Sequence, residues 1–98
     1  MKRRSLPEVI AFDWDEGNSD KNWTKHRVSQ KECTEIFANN PFILEDLAHS
    51  QKEDRYYAVG HTNIGRSLII VYTIRNKRMR VISARPQNKK ERQLFKNY

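Results

Sequence analysis

The sequence predicts an α+β fold: an antiparallel sheet with two N-terminal helices on one face and a C-terminal helix, in the order β-α-α-β-β-β-α. Two observations favour this class. Capping boxes at residues 29–32 and 88–91 mark helix starts, and three apolar strand segments follow one another between residues 55 and 84. Helices followed by a run of strands are typical of helices layered on one face of an antiparallel sheet. The 98 residues fit a single domain, which we expect to span 1–98.

The N-terminal half contributes one strand and two helices to this order. The apolar run Val9–Phe12 predicts the first strand, and a helix is expected over Glu16–His26. The first capping box opens a second helix, expected over Ser29–Ala38. Residues 42–54 are expected to form a loop, with a short strand at Phe42–Leu44 as the alternative.

The C-terminal half contributes three strands and one helix. Strands are expected at Arg55–Gly60, Ser67–Ile74 and Arg78–Ala84, and the second of these is apolar on both faces, which indicates a central strand. The dipeptide Asn76-Lys77 predicts a tight hairpin between the last two strands. The second capping box opens a helix expected over Asn88–Tyr98, with Leu94, Phe95 and Tyr98 on its apolar side.

The two halves of the chain differ in charge. Residues 1–49 carry seven Lys/Arg and nine Asp/Glu, a net charge of −2, whereas residues 50–98 carry twelve and three, a net charge of +9. A basic half on a small domain is typical of a protein with a polyanionic partner. Nucleic acid is therefore expected, and a membrane is disfavoured because no long amphipathic basic helix is present. The alternative is a soluble domain that is basic without such a partner.

Other classes of function are disfavoured by the residue types. Cys33 is the only cysteine, which leaves no disulfide framework and no zinc site, and we expect it to be buried. Trp14 and Trp23 are expected in the core rather than as base-stacking platforms. The acidic residues between 13 and 20 lack the spacing of a calcium loop. No apolar run spans a membrane and no secretory signal is visible, so we expect a cytoplasmic protein without metal or cofactor.

The chemistry that this composition favours is RNA cleavage without a metal. RNA is cut by its own 2′-hydroxyl when an enzyme supplies a base, an acid and cations for the charge at phosphorus. Arginine suits the last task because its planar fork binds two phosphate oxygens. The candidates for acid–base chemistry are His26, His49 and His61. The candidate cations lie on or beside the three C-terminal strands: Arg55, Arg66, Arg75, Arg78, Arg80 and Arg85.

Strand alternation leaves the orientation of two of these arginines open. In a regular strand Arg80 and Arg85 have opposite parity and point to opposite faces, so only one of them lines the open face of the sheet. A β-bulge, or the turn before Pro86, would change this orientation. The sequence does not decide between these arrangements.

Each candidate also has a structural alternative. His26 is expected near a helix C-terminus, where the helix dipole favours a cation without any catalytic role. Arg85 can pair with Glu91 instead of a phosphate. Arg55 can serve as a charged residue of an edge strand, and Arg78 can be a solvated residue beside a hairpin tip.

Several short segments between Phe12 and Phe95 are more informative in combination than each is alone. They are Phe12-Asp13-Trp14-Asp15, Asn22, Lys25-His26, Val28-Ser29, Arg55 followed by Gly60, Arg80-Val81-Ile82-Ser83-Ala84-Arg85, and Glu91-Arg92. Together they resemble the signature of the BrnT family. The resemblance spans nearly the whole chain, and the combination of segments is far more specific than any one of them.

The resemblance implies a bacterial RNA-cleaving toxin with a RelE-like fold that inhibits translation. It also implies a BrnA-like antitoxin that supplies the DNA-binding domain, so that the chain reaches operator DNA only through the antitoxin and the complex represses its own operon. Two alternatives stay open. One is a non-catalytic subunit that binds the antitoxin, and the other is a general RNA-binding protein that does not cleave.

The predicted site combines the residue chemistry with this resemblance. We expect His26 to act as general acid or base, and Arg55, Arg80 and Arg85 to bind phosphate and stabilise its charge. These four are the predicted catalytic residues. The predicted RNA-binding residues are Lys25, Arg66, Arg78 and Lys89.

The chain departs from the family pattern at five positions. Asn18 stands where the family has a lysine, and Arg27 stands where it has a glycine that would close the first helix in a left-handed turn. Asp54 replaces a glutamate and Pro86 replaces a basic residue. Phe95 replaces a tyrosine, which removes a hydroxyl. None of these changes deletes a predicted catalytic residue, so we expect activity, with the rate depending on positions 18 and 95.

Overall fold

The structure, a computed structural model, describes residues 3–4, 11–14, 16–46 and 54–96. Its elements are β1 (Arg3–Arg4), β2 (Ala11–Phe12), α1 (Glu16–His26), α2 (Gln30–Ala38), β3 (Phe42–Glu45), β4 (Arg55–His61), β5 (Ser67–Arg75), β6 (Arg78–Pro86) and α3 (Lys89–Leu94). The predicted α1, α2 and three C-terminal strands agree with these bounds to within two residues. Val9 and Ile10, from the predicted first strand, lie outside the described residues. None of the described helices is long and apolar enough to cross a membrane.

The strands form one sheet in the order β1-β3-β4-β5-β6-β2. The four central strands are antiparallel neighbours, and β1 pairs antiparallel with β3. The exception is β2, which runs parallel to β6 with Ala11 opposite Arg78. The prediction of a purely antiparallel sheet is therefore wrong at this edge. A parallel pair needs a long crossover, and α1, α2 and the intervening strands provide one.

β3 is a central strand that the predicted element order omits. The strand at Phe42–Leu44, the alternative to a loop, is confirmed, because β3 pairs with β4 from Phe42 opposite Val59 to Glu45 opposite Tyr56. Periodicity cannot separate so short an apolar run from a loop, and the partner strand decides it. The observed order of the described elements is thus β-β-α-α-β-β-β-β-α.

Both predicted capping boxes are present. The side chain of Ser29 accepts a hydrogen bond from the backbone N–H of Glu32, whose carboxylate accepts from the backbone N–H of Ser29. Asn88 and Glu91 make the same reciprocal pair at the start of α3. Each box satisfies N–H groups that the first helical turn leaves without a partner.

The end of α1 keeps the geometry that a glycine would give it. Arg27 has a φ of +54° and donates its backbone N–H to the carbonyl of Trp23 at 2.9 Å. The departure from glycine at this position therefore leaves the left-handed turn in place. Its cost is conformational strain, because a side chain disfavours this backbone region.

The helices α1 and α2 cover one face of the sheet, as predicted. Cys33 and Ile36 of α2 pack against Ala58, Ile70 and Tyr72 of the sheet, and each of these residues is at most 1% exposed. The burial of Cys33 is thus confirmed. Burial also raises the pKa of its thiol to about 12, so the group packs as a neutral side chain.

The two tryptophans have different environments. Trp14 packs against the core and stacks on Phe12, with ring centroids 5.2 Å apart. Trp23 is 50% exposed, and the guanidinium of Arg27 lies 5.3 Å from its ring centroid. The prediction of a core position is wrong for Trp23. Its neighbour Asn22, which is 4% exposed, occupies the inward side of α1 instead.

The opposite face of the sheet is partly covered by α3. Phe95, directly after this helix, packs on the apolar side chains of β3, β4 and β5 and is 9% exposed. Leu94 is 69% exposed, so the predicted apolar side of the helix is wrong at this residue. Tyr98 lies outside the described residues. The sheet face expected to be open is therefore closed at one end by an aromatic side chain.

Candidate functional site

A β-bulge in β6 decides the orientation of the two arginines that alternation left open. Val71 of β5 lies opposite Ser83, but the next residue, Tyr72, lies opposite Val81, so Ile82 is the extra residue of the bulge. One extra residue reverses the alternation of side chains along a strand. Arg80 and Arg85 therefore lie on the same face of the sheet, which is the face away from α1 and α2.

This face, which we call the open face, carries three rows of cross-strand neighbours. Directly opposite residues in adjacent strands share a face, so pairing assigns each row. Rows separated by two residues lie about 7 Å apart, which puts the first and third rows about 14 Å apart. The rows across β4, β5 and β6 are Arg55–Thr73–Arg80, Tyr57–Val71–Ser83 and Val59–Ile69–Arg85.

The third row borders a cleft of about 240 Å³ on the open face. Its floor is apolar and its rim is polar, and the polar groups come from three different elements. The phenol of Tyr57 comes from β4, the guanidinium of Arg85 from β6 and the carboxylate of Glu91 from α3. The lining residues are Leu44, Tyr57, Val59, Ile69, Arg85, Glu91 and Phe95.

Arg85 and Glu91 form a two-bonded ion pair at the rim of the cleft. Arg85 Nη1 donates to Glu91 Oε1 at 2.7 Å, and Arg85 Nη2 donates to Glu91 Oε2 at 2.8 Å. This hydrogen bonding is the main cause of a raised pKa for Arg85 and a lowered pKa for Glu91. The pairing named as the structural alternative for Arg85 is thus present. Because the side chain of Arg85 stays 37% exposed, the pair is open to a ligand.

A phenol–carboxylate pair beside this ion pair was not found from the sequence. Tyr57 donates its hydroxyl to Asp46 Oδ2 at 2.9 Å, and Asp46 is 5% exposed. Burial and this carboxylate raise the pKa of Tyr57, while Arg85 and Arg55 lower it, so the phenol lies within the field of both arginines. No sequence signal indicates the pair, because Asp46 and Tyr57 come together only through the pairing of β3 with β4.

His26 is the last residue of α1, the helix that packs against β6. The helix is held there by Asn22, whose side-chain oxygen accepts a hydrogen bond from the backbone N–H of Ala84 at 3.1 Å. Burial and the charges of Lys25, Arg85 and Lys21 lower the pKa of His26. Arg85 is thus one of the positive charges that act on the imidazole.

The other predicted residues divide between the two ends of the sheet. Arg66 donates to the carbonyls of Arg27 and His26 and pairs with Glu32 at 2.9 Å, so its guanidinium joins the end of α1 to the start of α2. Arg78 is exposed beside the hairpin, next to the row of Arg80. The exposed residues Lys25 and Lys89 lie in the last turn of α1 and the first turn of α3.

Arg55 and the remaining histidines also have defined positions, with one exception. Arg55 begins β4, which pairs with strands on both sides, so the alternative of an edge-strand residue is wrong. His61 ends the same strand, and His49 lies outside the described residues. The part of the chain that the structure describes has no group of three or more His, Cys, Asp or Glu that could hold a metal ion.

The chain belongs to the BrnT family. The model of that family, described as the ribonuclease toxin BrnT of a type II toxin–antitoxin system, matches residues 14–91. This span includes the three rows of the open face, all eight residues of the predicted site and every residue that lines the cleft except Phe95.

The fold is similar to that of a solved family member. The 1.1 Å crystal structure of the Brucella abortus ribonuclease toxin BrnT matches with a TM-score of 0.64 at 19% sequence identity, covering 83% of this chain and 100% of that chain. At this level of identity the similarity concerns the fold alone. No curated protein matches the sequence.

Proposed function

We propose that this chain is an endoribonuclease that cleaves RNA without a metal ion and so inhibits translation in the cytoplasm. The single observation that supports this most directly is the alignment of Arg55, Arg80 and Arg85 on one sheet face, beside a cleft with an anchored carboxylate. The rows span about 14 Å, which exceeds the spacing of successive charges along one nucleic-acid strand. Such a surface can bind the scissile phosphate and a neighbouring one.

The arginines stabilise the charge that develops at phosphorus. Arg85 donates hydrogen bonds to the non-bridging oxygens as the 2′-oxygen attacks, and Arg80 and Arg55, in the row about 14 Å away, bind the neighbouring phosphate and extend the positive field along the strand. The removal of one preorganised donor of this kind costs on the order of 10²–10³-fold in rate. Lys25, Arg78 and Lys89 are proposed to contact more distant phosphates.

His26 is proposed as the general acid that protonates the leaving 5′-oxygen. Its pKa is lowered by burial and by the positive charges around it, which favours the neutral imidazole in the free protein. A bound phosphate opposes those charges and moves the imidazole toward its protonated form. Substrate binding would thereby prepare the acid that the reaction needs.

The partner is proposed to be a BrnA-like antitoxin. The membership in a type II toxin–antitoxin family supports a protein partner, and the open face is the surface that a partner must cover to exclude RNA. The proposal includes the RelE-like fold relationship and repression of the operon by the complex, with operator DNA contacted only by the antitoxin.

The experiment is cleavage of total bacterial RNA by the purified chain, beside its Arg85→Ala variant, with and without EDTA. We expect the parent to fragment RNA equally in both conditions and the variant to lose at least 100-fold in rate. Induction in bacteria should arrest growth for the parent alone. The matched control is Lys31→Ala, which removes one charge from an exposed position on α2, away from the open face.

Three results would contradict the proposal. Loss of cleavage in EDTA would contradict metal independence. Intact RNA and normal growth with a soluble parent that binds its antitoxin would favour the non-catalytic subunit. Strongly salt-dependent RNA binding without cleavage would favour a general RNA-binding protein.

A further inference from the structure

The carboxylate of Glu91 lies at the rim of the cleft. Its ion pair with Arg85 leaves part of its capacity to accept hydrogen bonds unused. We propose that Glu91 is the general base that accepts the 2′-hydroxyl proton of the RNA, an inference that rests on the ribonuclease function proposed above. The inference adds a general base to that scheme, because His26 supplies only the acid and the arginines supply only positive charge.

The hydrogen bonds of Glu91 leave one oxygen with an open acceptor position. Oε1 accepts from Arg85 Nη1 at 2.7 Å and from the backbone N–H of Asn88 at 2.9 Å. Oε2 accepts from Arg85 Nη2 at 2.8 Å and from no other described residue. A carboxylate has about four lone-pair positions, so Oε2 can still accept a proton from substrate. Three bonds meanwhile fix the orientation of the group.

Arg85 can bind a phosphate without releasing Glu91. The pair uses the end of the guanidinium, Nη1 and Nη2, while Nε–H and the second hydrogen of Nη2 point together to one side and donate to no described residue. A phosphate on this second fork shares Nη2 with Glu91 Oε2, which puts the two acceptor oxygens about 5 Å apart. The 2′-oxygen of the nucleotide attached to that phosphate then lies within reach of Oε2.

The proposed step balances in protons and bonds. The 2′-oxygen transfers its proton to Glu91 Oε2 and forms a bond to phosphorus, while the bond from phosphorus to the 5′-oxygen breaks. The 5′-oxygen takes a proton from His26. The products are a 2′,3′-cyclic phosphate and a 5′-hydroxyl, and Glu91 and His26 return to their starting forms by exchange with water.

Glu32 is a structural counterpart of Glu91, and comparing the two residues distinguishes a catalytic role of Glu91 from a role in helix capping. Glu32 is also the third residue of a capped helix, and it also pairs with an arginine, Arg66, at 2.9 Å. It differs in position, because it lies at the start of α2, on the face opposite the cleft. A role limited to capping and ion pairing predicts equal consequences for the two glutamates, whereas the proposal predicts unequal ones.

The test compares Glu91→Gln with Glu32→Gln. Glutamine keeps the acceptor oxygen for the capping box but cannot take a proton at neutral pH. Cleavage of an RNA oligonucleotide is measured in single turnovers across pH, and binding is measured with the same oligonucleotide carrying 2′-deoxy sugars. For Glu91→Gln we expect at least a 100-fold lower rate, binding within threefold of the parent, and loss of the acidic limb of the pH–rate profile. For Glu32→Gln we expect an unchanged rate and profile.

The outcomes are distinguishable from a failure of the proposed function. A parent that does not cleave RNA overturns both the ribonuclease proposal and this inference. A cleaving parent whose Glu91→Gln variant cleaves within threefold of it overturns the inference alone, as does a rate that falls equally in both variants. Should Glu91→Gln not fold, Glu91→Asp retains a carboxylate displaced by one methylene. The pH–rate profile of Glu91→Asp is expected to keep its acidic limb, with a rate below that of the parent. A full parental rate would overturn the assignment of Glu91 as the base.

Discussion

At the residue scale, the same side-chain type serves two different purposes in this chain. Arg66 donates to the carbonyls at the end of α1 and to Glu32, so it holds two helices together. Arg85 is bound by Glu91 at the rim of a cleft, and its second fork of N–H groups donates to no described residue. In the sequence, both are arginines on or beside the C-terminal strands, and nothing there distinguishes one from the other. The difference between them arises from what each guanidinium reaches in three dimensions.

Arg27 provides a stability prediction at the same scale. It occupies the left-handed region at φ +54°, which costs a residue with a side chain about 1–2 kcal/mol. Arg27→Gly and Arg27→Ala both remove the contact of the guanidinium with Trp23, but only glycine relieves the strain. We expect the glycine variant to be more stable than the alanine variant by about 1 kcal/mol in urea unfolding. Equal stabilities would show that the backbone at this position is unstrained.

At the scale of the element, the hairpin between β5 and β6 shows how two residues fix a register. Asn76 and Lys77 have φ values of +52° and +61°, the geometry of a two-residue turn whose twist matches the strands. Asparagine tolerates this region, whereas lysine is strained in it. The turn sets Arg75 opposite Arg78, and from there the bulge at Ile82 brings Arg85 to the open face.

This hairpin yields the next prediction. Lys77→Gly restores the Asn-Gly pair that such turns prefer and is expected to stabilise the protein by about 1 kcal/mol. The measurement is the midpoint of thermal or urea unfolding. Lys77→Ala is the control, since it removes the same charge without relieving the backbone. If the two variants have the same midpoint, backbone strain at Lys77 is not the reason for any change.

At the scale of the whole molecule, the net charge of +7 and the arginine rows predict how binding depends on salt. Each phosphate neutralised on single-stranded nucleic acid contributes about −0.7 to the slope of log K against log salt. With a non-cleavable 2′-deoxy oligonucleotide, Arg80→Ala should therefore make the slope shallower by about 0.7. Lys31→Ala should leave it unchanged. An unchanged slope for Arg80→Ala would exclude a phosphate contact at Arg80.

The glutamates of the two capping boxes, Glu32 and Glu91, make the free energy of unfolding depend on pH in the acidic range. Burial raises the pKa of Glu32, but hydrogen bonds from Ser29 and Arg66 outweigh it, so the net shift is downward. Hydrogen bonds from Arg85 are the main reason for the lowered pKa of Glu91. Because both carboxyl groups have lower pKa values in the folded protein, the unfolded chain binds their protons more readily. The stabilisation is therefore complete above the ordinary carboxyl pKa of 4.5. It is lost as the pH falls through the pKa values of the folded protein.

The corresponding prediction is a fall in melting temperature between pH 5 and pH 3. The parent should lose more stability over this interval than Glu32→Gln, in which one of the two linked groups no longer titrates. Melting curves followed by circular dichroism at several pH values provide the measurement. Parallel curves for the two proteins would contradict the contribution of Glu32.

The sequence by itself determined the local structure and the family. The capping boxes at Ser29 and Asn88, the hairpin at Asn76-Lys77 and the bounds of α1 and α2 all depend on contacts between residues near in the chain. The same is true of the apolar periodicity that placed Cys33 in the core. Short motifs at fixed spacing were also enough to indicate the BrnT family, which the match over residues 14–91 confirms.

Only the tertiary structure decided which side chains meet. The bulge at Ile82, the parallel pairing of β2, the phenol–carboxylate pair of Tyr57 and Asp46, and the cleft beside Glu91 each require partners from distant parts of the chain. A one-residue change of register turns a side chain to the other face of a sheet, and the residue types do not encode that change. The orientation of Arg85 toward the open face therefore depends on pairing energies across the whole sheet, which no local pattern records.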